Sequence, residues 1–208
     1  YPYVEVGGKP LPAENVKRLL ENPYPIPMAR WVTIGTLDPD EWSPLFGATW
    51  RQRAGHIIAS GTGGGFGGRT LCLSKSSPPS DGPFEVEVAV KLEDDSGAAG
   101  LAFHADGGDK HYAFYPTNGK LRLTRFAGPD RFSWSVLSEI GSDRYRPRRW
   151  NTFKVRLDGK RFTCFVNDTQ VVDLEDAGLA PGRVGLVKFR SPTAEFKRFR
   201  VGRNLPPA

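Results

Sequence analysis

Trp150–Asp173 reads WNTFKVRLDGKRFTCFVNDTQVVD, and its rhythm decides the fold. Phe153, Val155 and Leu157 fall on one side of an extended chain, with Lys154 and Arg156 on the other. Alternation with a period of two marks a half-buried strand, because successive strand side chains point to opposite faces. Asp158-Gly159 follows, two residues that tolerate the positive φ of a tight hairpin turn. Arg161–Val166 predicts the returning strand, Asn167-Asp168 a second turn and Gln170–Leu174 a third strand.

The same grammar fills the chain from Trp50 onward. Strands are expected over Trp50–Arg53, His56–Ser60, Arg69–Lys75, Phe84–Leu92, Gly100–His104, Lys110–Tyr115, Leu121–Phe126, Phe132–Leu137, Val184–Phe189 and Phe196–Val201. In Phe84–Leu92 one side is apolar (Phe84, Val86, Val88, Val90, Leu92) and Glu85, Glu87 and Lys91 face the other way. Asn118-Gly119 is a strong hairpin signal. Residues 1–30 read as an N-terminal arm with one short helix, Ala13–Asn22, in which Val16, Leu19 and Leu20 share a face and Pro12 and Pro23 mark the bounds. Asp38-Pro39-Asp40-Glu41 has the look of a helix start. The expected fold class is all-β: a two-sheet antiparallel β-sandwich over residues 31–203 with a short N-terminal helix before it, and residues 204–208 as a tail or linker.

Composition agrees. A chain of 208 residues suits one large β domain, and 24 Gly and 18 Pro suit many turns. No apolar run is long enough to span a membrane, and no signal peptide is visible. Net charge is +6 but uneven: residues 1–119 carry −4 and residues 120–208 carry +10. The basic half is read first as solvated strand faces, and second as a surface for an anionic partner. Cys72 and Cys164 each lie in an expected strand, and two readings stand: a bridge across the sandwich, or two small buried thiols.

Few stretches suggest chemistry. Gly63, Gly65 and Gly68 satisfy G-x-G-x-x-G, but a strand follows them where a dinucleotide site needs a helix N-terminus, so the run is read as a loop. The jelly-roll glucanase pattern E-x-D-x-x-E is absent, and Glu85 with Glu87 reads as a solvated strand face. Glu93-Asp94-Asp95, and Asp106 with Asp109, offer oxygen ligands for calcium, although Asp also favours turns on its own account. No other cofactor is expected. The Arg144–Trp150 loop is densely basic, yet nothing else fits a nucleic-acid module, so no nucleic acid is expected. His104 and His111 stand at the two ends of one hairpin, near enough in principle for acid–base work. His104 shares a parity with Gly100 and Ala102, small residues that leave room for a ligand. Exposed aromatic rings offer a flat apolar face to a ligand, and guanidinium groups bond ligand oxygens. The candidate ligand-binding residues are therefore His104, His111, Tyr115, Arg122, Trp134 and Arg190, while Tyr112, Phe114, Leu121 and Leu123 belong to the core.

The order of several segments carries a resemblance: TWRQRAGHIIASG, PFEVEVAVKLEDDSGAAGLAFHAD, YAFYPTNGKLRLTRFAG, the Trp150 meander, and GRVGLVKFRSPTAEFKRFRV. Over about Trp50 to Val201 the chain resembles laminin-G-like, concanavalin A-like jelly rolls, in particular the 3-keto-disaccharide hydrolase type of domain and related carbohydrate-binding modules. The resemblance implies two antiparallel sheets, a sugar ligand on a concave face or its rim, and in some members a structural calcium. It also implies a polar set of an Arg, an acidic residue and a Gln/His pair. This chain departs from that set: His104 stands near the Arg position, Ala113 near the acidic one, and Val187 and Phe189 in place of the pair.

The expected function is a carbohydrate-binding module of an exported, extracellular or periplasmic, or multidomain glycan-processing protein. The first alternative is an enzyme of the 3-keto-disaccharide hydrolase type with His104 and His111 as its acid–base groups. The second is a protein-interaction domain docking through the basic half. The sequence leaves the oligomeric state open.

Overall fold

A computed structural model of the protein describes residues 5–6, 9–10 and 35–207. The chain divides into two units, residues 1–34 and 35–208. The described part of the first is an antiparallel ribbon of β1 (Glu5–Val6) and β2 (Lys9–Pro10). The helix expected over Ala13–Asn22 lies outside the described residues.

The second unit is a sandwich of two seven-stranded antiparallel sheets. Its strands are β3 (Trp42–Leu45), β4 (Gly47–Arg53), β5 (His56–Gly63), β6 (Thr70–Ser74), β7 (Phe84–Leu92), β8 (Ala98–Ala105), β9 (Lys110–Thr117), β10 (Lys120–Ala127), β11 (Trp134–Gly141), β12 (Asn151–Asp158), β13 (Arg161–Val166), β14 (Thr169–Glu175), β15 (Arg183–Phe189) and β16 (Ala194–Gly202). The first sheet runs β11-β10-β9-β8-β15-β6-β3 and the second β14-β13-β12-β7-β16-β5-β4. The Trp150 meander forms one edge of the second sheet as β12, β13 and β14, paired in that order. Asn167 and Asp168 both take positive φ (46° and 65°), and Gly159 does so at 57°, the backbone that two tight turns require.

The inner faces meet as the alternation predicts. Val86, Val88, Phe153, Val155 and Phe162 of the second sheet pack on Leu101, Phe103, Tyr112, Phe114 and Leu121 of the first. Phe103 meets Phe162 edge-on at 5.0 Å, and Phe114 meets Phe153 at 5.5 Å. Burying each such ring removes it from water for about 1.5–3 kcal/mol. Trp50 joins this core with its polar end satisfied, Nε1 donating to Thr70 Oγ1 at 2.9 Å.

Four readings change. The turn from Asp38 closes with Trp42 N–H on Asp38 O at 3.0 Å, and the chain then leaves as a strand rather than a helix. Phe132 lies in a 3-10 turn, Arg131–Ser133, capped by Asp130, and is 85% exposed; β11 begins only at Trp134. Glu85 and Glu87 are buried at 7% and 2% exposure rather than solvated, each held by a cation. His104 leaves the face of Gly100 and Ala102. Between Ala102 and Ala105, β8 spends three steps where β15 spends two from Gly185 to Arg183, and His104 absorbs the surplus with φ 49°. Such a bulge breaks the period-two parity. The imidazole turns inward against Phe103, Tyr112 and Phe162 at 5.5–5.8 Å.

Candidate functional site

The outer face of the first sheet carries a second apolar cluster, with Leu71, Leu73, Ala98, Ala102, Ala113, Tyr115, Phe126, Val187 and Phe189 all buried. A buried guanidinium stands at one side of it. The glycine-rich loop delivers this group. At Gly63 a Cβ would meet Arg69 O at 2.2 Å, so only glycine lets the loop fold back so closely. The returning chain is tied by Gly65 N–H to Arg69 O (3.1 Å) and Arg190 N–H to Gly67 O (3.0 Å).

Arg69 is fully buried. Its Nη2 donates to Asp109 Oδ1 at 2.9 Å and its Nη1 to Asp109 O at 3.0 Å, with Gly128 O 3.5 Å from Nη2. The guanidinium carbon lies 5.1 Å from the ring centre of Phe46 and 5.5 Å from those of Phe126 and Trp134, within cation–π range. Burial pulls the Arg69 pKa down, and the carboxylates of Asp109 and Asp106 oppose that pull.

His111 completes the cluster. Its ring stacks on Phe126 at 4.6 Å. Nδ1 lies 3.1 Å from Tyr112 O and so donates to that carbonyl, which leaves the Nε2 lone pair facing Arg69 Nη1 at 3.5 Å. Burial pushes the His111 pKa down to about 3, and that of His104 down to about 4. Both rings are neutral near pH 7. They sit on opposite faces of the first sheet, His104 inward and His111 outward, so the hairpin does not join them into one acid–base pair.

Trp134 stands edge-on to Phe126 at 4.5 Å and to Phe66 at 5.3 Å. Two N–H donors at this spot, Arg69 Nε and Trp134 Nε1, are buried and have no acceptor among the described residues. The middle of the face is closed to solvent, but its rim is not: Phe66 is 48% exposed and the Asp109 side chain 40%. Buried donors beside an open rim of aromatic rings suit a neutral ligand that carries hydroxyl acceptors and an apolar ring face.

The other candidates have partners of their own. The Tyr115 hydroxyl is 3.0 Å from Thr124 Oγ1, and its ring tilts on Phe189 at 4.9 Å. Arg122 is paired with Glu139. Arg190 Nη2 donates to Thr117 Oγ1 at 2.8 Å, and its Nη1 bonds Ser96 O. Asp106 closes its own turn, with Oδ1 accepting from Gly108 N (2.8 Å) and Lys110 N (3.2 Å), while Asp109 serves Arg69. Among the described residues no three His, Cys, Asp or Glu side chains converge as metal ligands. Sequence reasoning passed over Arg69, Phe46 and Phe126. The legible signal was an arginine opening an otherwise apolar strand, Arg69-Thr70-Leu71-Cys72-Leu73, directly after the glycine run.

Residues 34–202 of this chain match the family described as the 3-keto-alpha-glucoside-1,2-lyase-like domain. The chain belongs to this family. It is also 26% identical over 145 residues to a levanase of Bacillus subtilis (strain 168), a match that covers 70% of this chain. The matched region spans only 20% of that levanase's own length. In fold it is similar to the carbohydrate binding module CBM66 from Bacillus subtilis, with TM-score 0.64 and 20% identity over 78% of this chain and 95% of that one. A cellulose induced protein, Cip1, superposes with TM-score 0.58 at 14% identity, over 83% and 96% of the two chains.

Proposed function

We propose that the domain binds carbohydrate, at the rim of the first sheet's outer face around Trp134. The observation that carries the reading is the pair of buried N–H donors, Arg69 Nε and Trp134 Nε1, beside the exposed ring of Phe66. A sugar offers what this spot asks for, hydroxyl oxygens to accept and a C–H face to lie on aromatics. The fold shared with a carbohydrate binding module supports the same class of ligand. So does the levanase relative, whose name makes levan a natural first probe. Affinity electrophoresis through gels containing levan, inulin or soluble starch tests this. Retardation by at least one polysaccharide, lost in Trp134→Ala, is the expected result; free migration through all of them by the folded wild type would refute it.

Family membership favours a second reading, elimination from a 3-keto-glucoside, with His111 as the group beside Arg69. Such a step takes the C2 proton and expels the C1 substituent, and a base with a pKa near 3 is poorly matched to it at neutral pH. Release of the aglycone from a 3-keto-glucoside by the wild type, but not by His111→Gln, would establish this reading.

A further inference from the structure

The second sheet has an outer pocket of its own, about 150 Å³, lined by Glu87, Ala89, Thr152, Arg198, Arg200 and Pro207. Three local features build it. Strand β16 slips register against β7 between Lys197 and Arg200, with Arg198 at φ 53°, so the bulge brings two guanidinium groups to one hollow. Ala89 leaves the floor low. The chain beyond β16 doubles back as a wall, tied by Leu205 N–H to Glu85 Oε1 at 2.8 Å and by Arg200 Nη2 to Pro206 O at 3.2 Å.

At the bottom stands Glu87, 2% exposed. Arg200 occupies one carboxylate oxygen, Oε2, with Nε donating at 2.8 Å and Nη2 alongside. The other oxygen, Oε1, is buried with no hydrogen-bond partner among the described residues. A buried anionic oxygen left unpaired is unfavourable, and whatever relieves it must carry a donor. The rest of the lining narrows the choice. Two arginines oppose a cation, and Glu87 opposes an anion. None of the lining residues is aromatic, so ring stacking contributes nothing. What remains is a neutral group with adjacent donors and acceptors. A hydroxyl there would donate to Glu87 Oε1, and its neighbour would accept from Arg198 or exchange with the Thr152 hydroxyl. The hollow admits several waters, and so the hydroxyl edge of one sugar ring.

We propose that this pocket is a second saccharide site, reading a vicinal diol edge-on through Glu87, Thr152 and Arg198. It stands on the sheet opposite to Trp134, and either site can fail without the other.

The test uses the full chain, labelled with ¹⁵N, and titrates millimolar methyl α-D-glucopyranoside while amide shifts are recorded. Cyclohexanol, with one hydroxyl, is the control. The expected result is saturable shifts around residues 87–89, 152 and 198–200, equal in wild type and Trp134→Ala, with affinity lowered about tenfold or more in Thr152→Val and Arg198→Ala, since a site that bonds a hydroxyl rejects what cannot complete the bond. These two changes spare the Glu87–Arg200 pair, so both proteins remain folded, as an unperturbed remainder of the spectrum will show. The proposal is overturned if no shifts arise there, if both variants bind as the wild type does, or if cyclohexanol shifts the same amides equally. Shifts confined to the neighbourhood of Trp134 would overturn it while leaving the first site intact.

Discussion

Arg69 Nη2 lies 2.9 Å from Asp109 Oδ1, and the two partners live in different surroundings: the guanidinium side chain is fully buried and the carboxylate side chain 40% exposed. The exposed partner therefore reports cheaply on the buried one. Asp109→Ala removes the only carboxylate bonded to Arg69 among the described residues, leaving a buried cation with carbonyls and rings. A loss of about 1–3 kcal/mol is expected, read as a lower urea midpoint at unchanged m-value. An unmoved midpoint would mean that the carbonyls of Asp109 and Gly128 and the three rings suffice to hold the charge.

Gly63→Ala acts on the same group through the backbone. The added methyl would lie 2.2 Å from Arg69 O and 2.7 Å from Gly68 O, both backbone atoms that cannot swing aside. The loop must shift, carrying Arg69 and Phe66 with it. Polysaccharide retardation should fall toward that of Trp134→Ala, and the far-UV spectrum should keep its β signature. Retardation equal to wild type would detach the loop from ligand binding.

Stability should fall in mild acid. The two buried histidines have folded pKa values near 4 and 3, below the ordinary 6.5 of the unfolded chain. Burial is the largest cause for both. Between those values and 6.5 the unfolded chain binds protons that the native chain refuses. The stabilisation is thus complete above pH 6.5 and is lost as pH falls through the folded values, by about 1.4 kcal/mol per pH unit for each histidine. Urea midpoints at pH 7, 6 and 5 check this. The double variant His104→Phe, His111→Gln should flatten the slope, and a slope as steep as wild type would assign the effect to other groups.

Cys72 and Cys164 are free thiols, both fully buried in the inter-sheet core, one on β6 and the other on β13. Burial pushes the Cys72 pKa up to about 12 and that of Cys164 higher still. With so little thiolate and no access, neither should react with a thiol reagent in the native protein. Both should react in concentrated guanidinium chloride without prior reduction. Failure to find two thiols in the unfolded, unreduced chain would revive the bridge.

The architecture was legible because burial of one sheet face imposes a period of two on the sequence, and β7 obeys it from Phe84 to Leu92 and β12 from Phe153 to Leu157. The rule failed at His104, where one surplus residue in β8 turns the imidazole to the opposite face. It failed again at Glu85 and Glu87, since alternation tells which side a residue faces but not whether that side is wet. Arg200, Lys154 and the returning tail cover those carboxylates, and each lies far from β7 along the chain.

What the amino-acid order determined alone is most of the strands, their tight turns and the inner core of β7, β12 and β13, since local alternation and turn chemistry act between near neighbours. What only the tertiary structure decided is where polar groups converge. Arg69 meets Asp109 across 40 residues of chain, and Arg200 meets Glu87 across 113. Those meetings depend on strand order within a sheet and on bulges that re-aim single side chains, and neither leaves a periodic trace in the sequence.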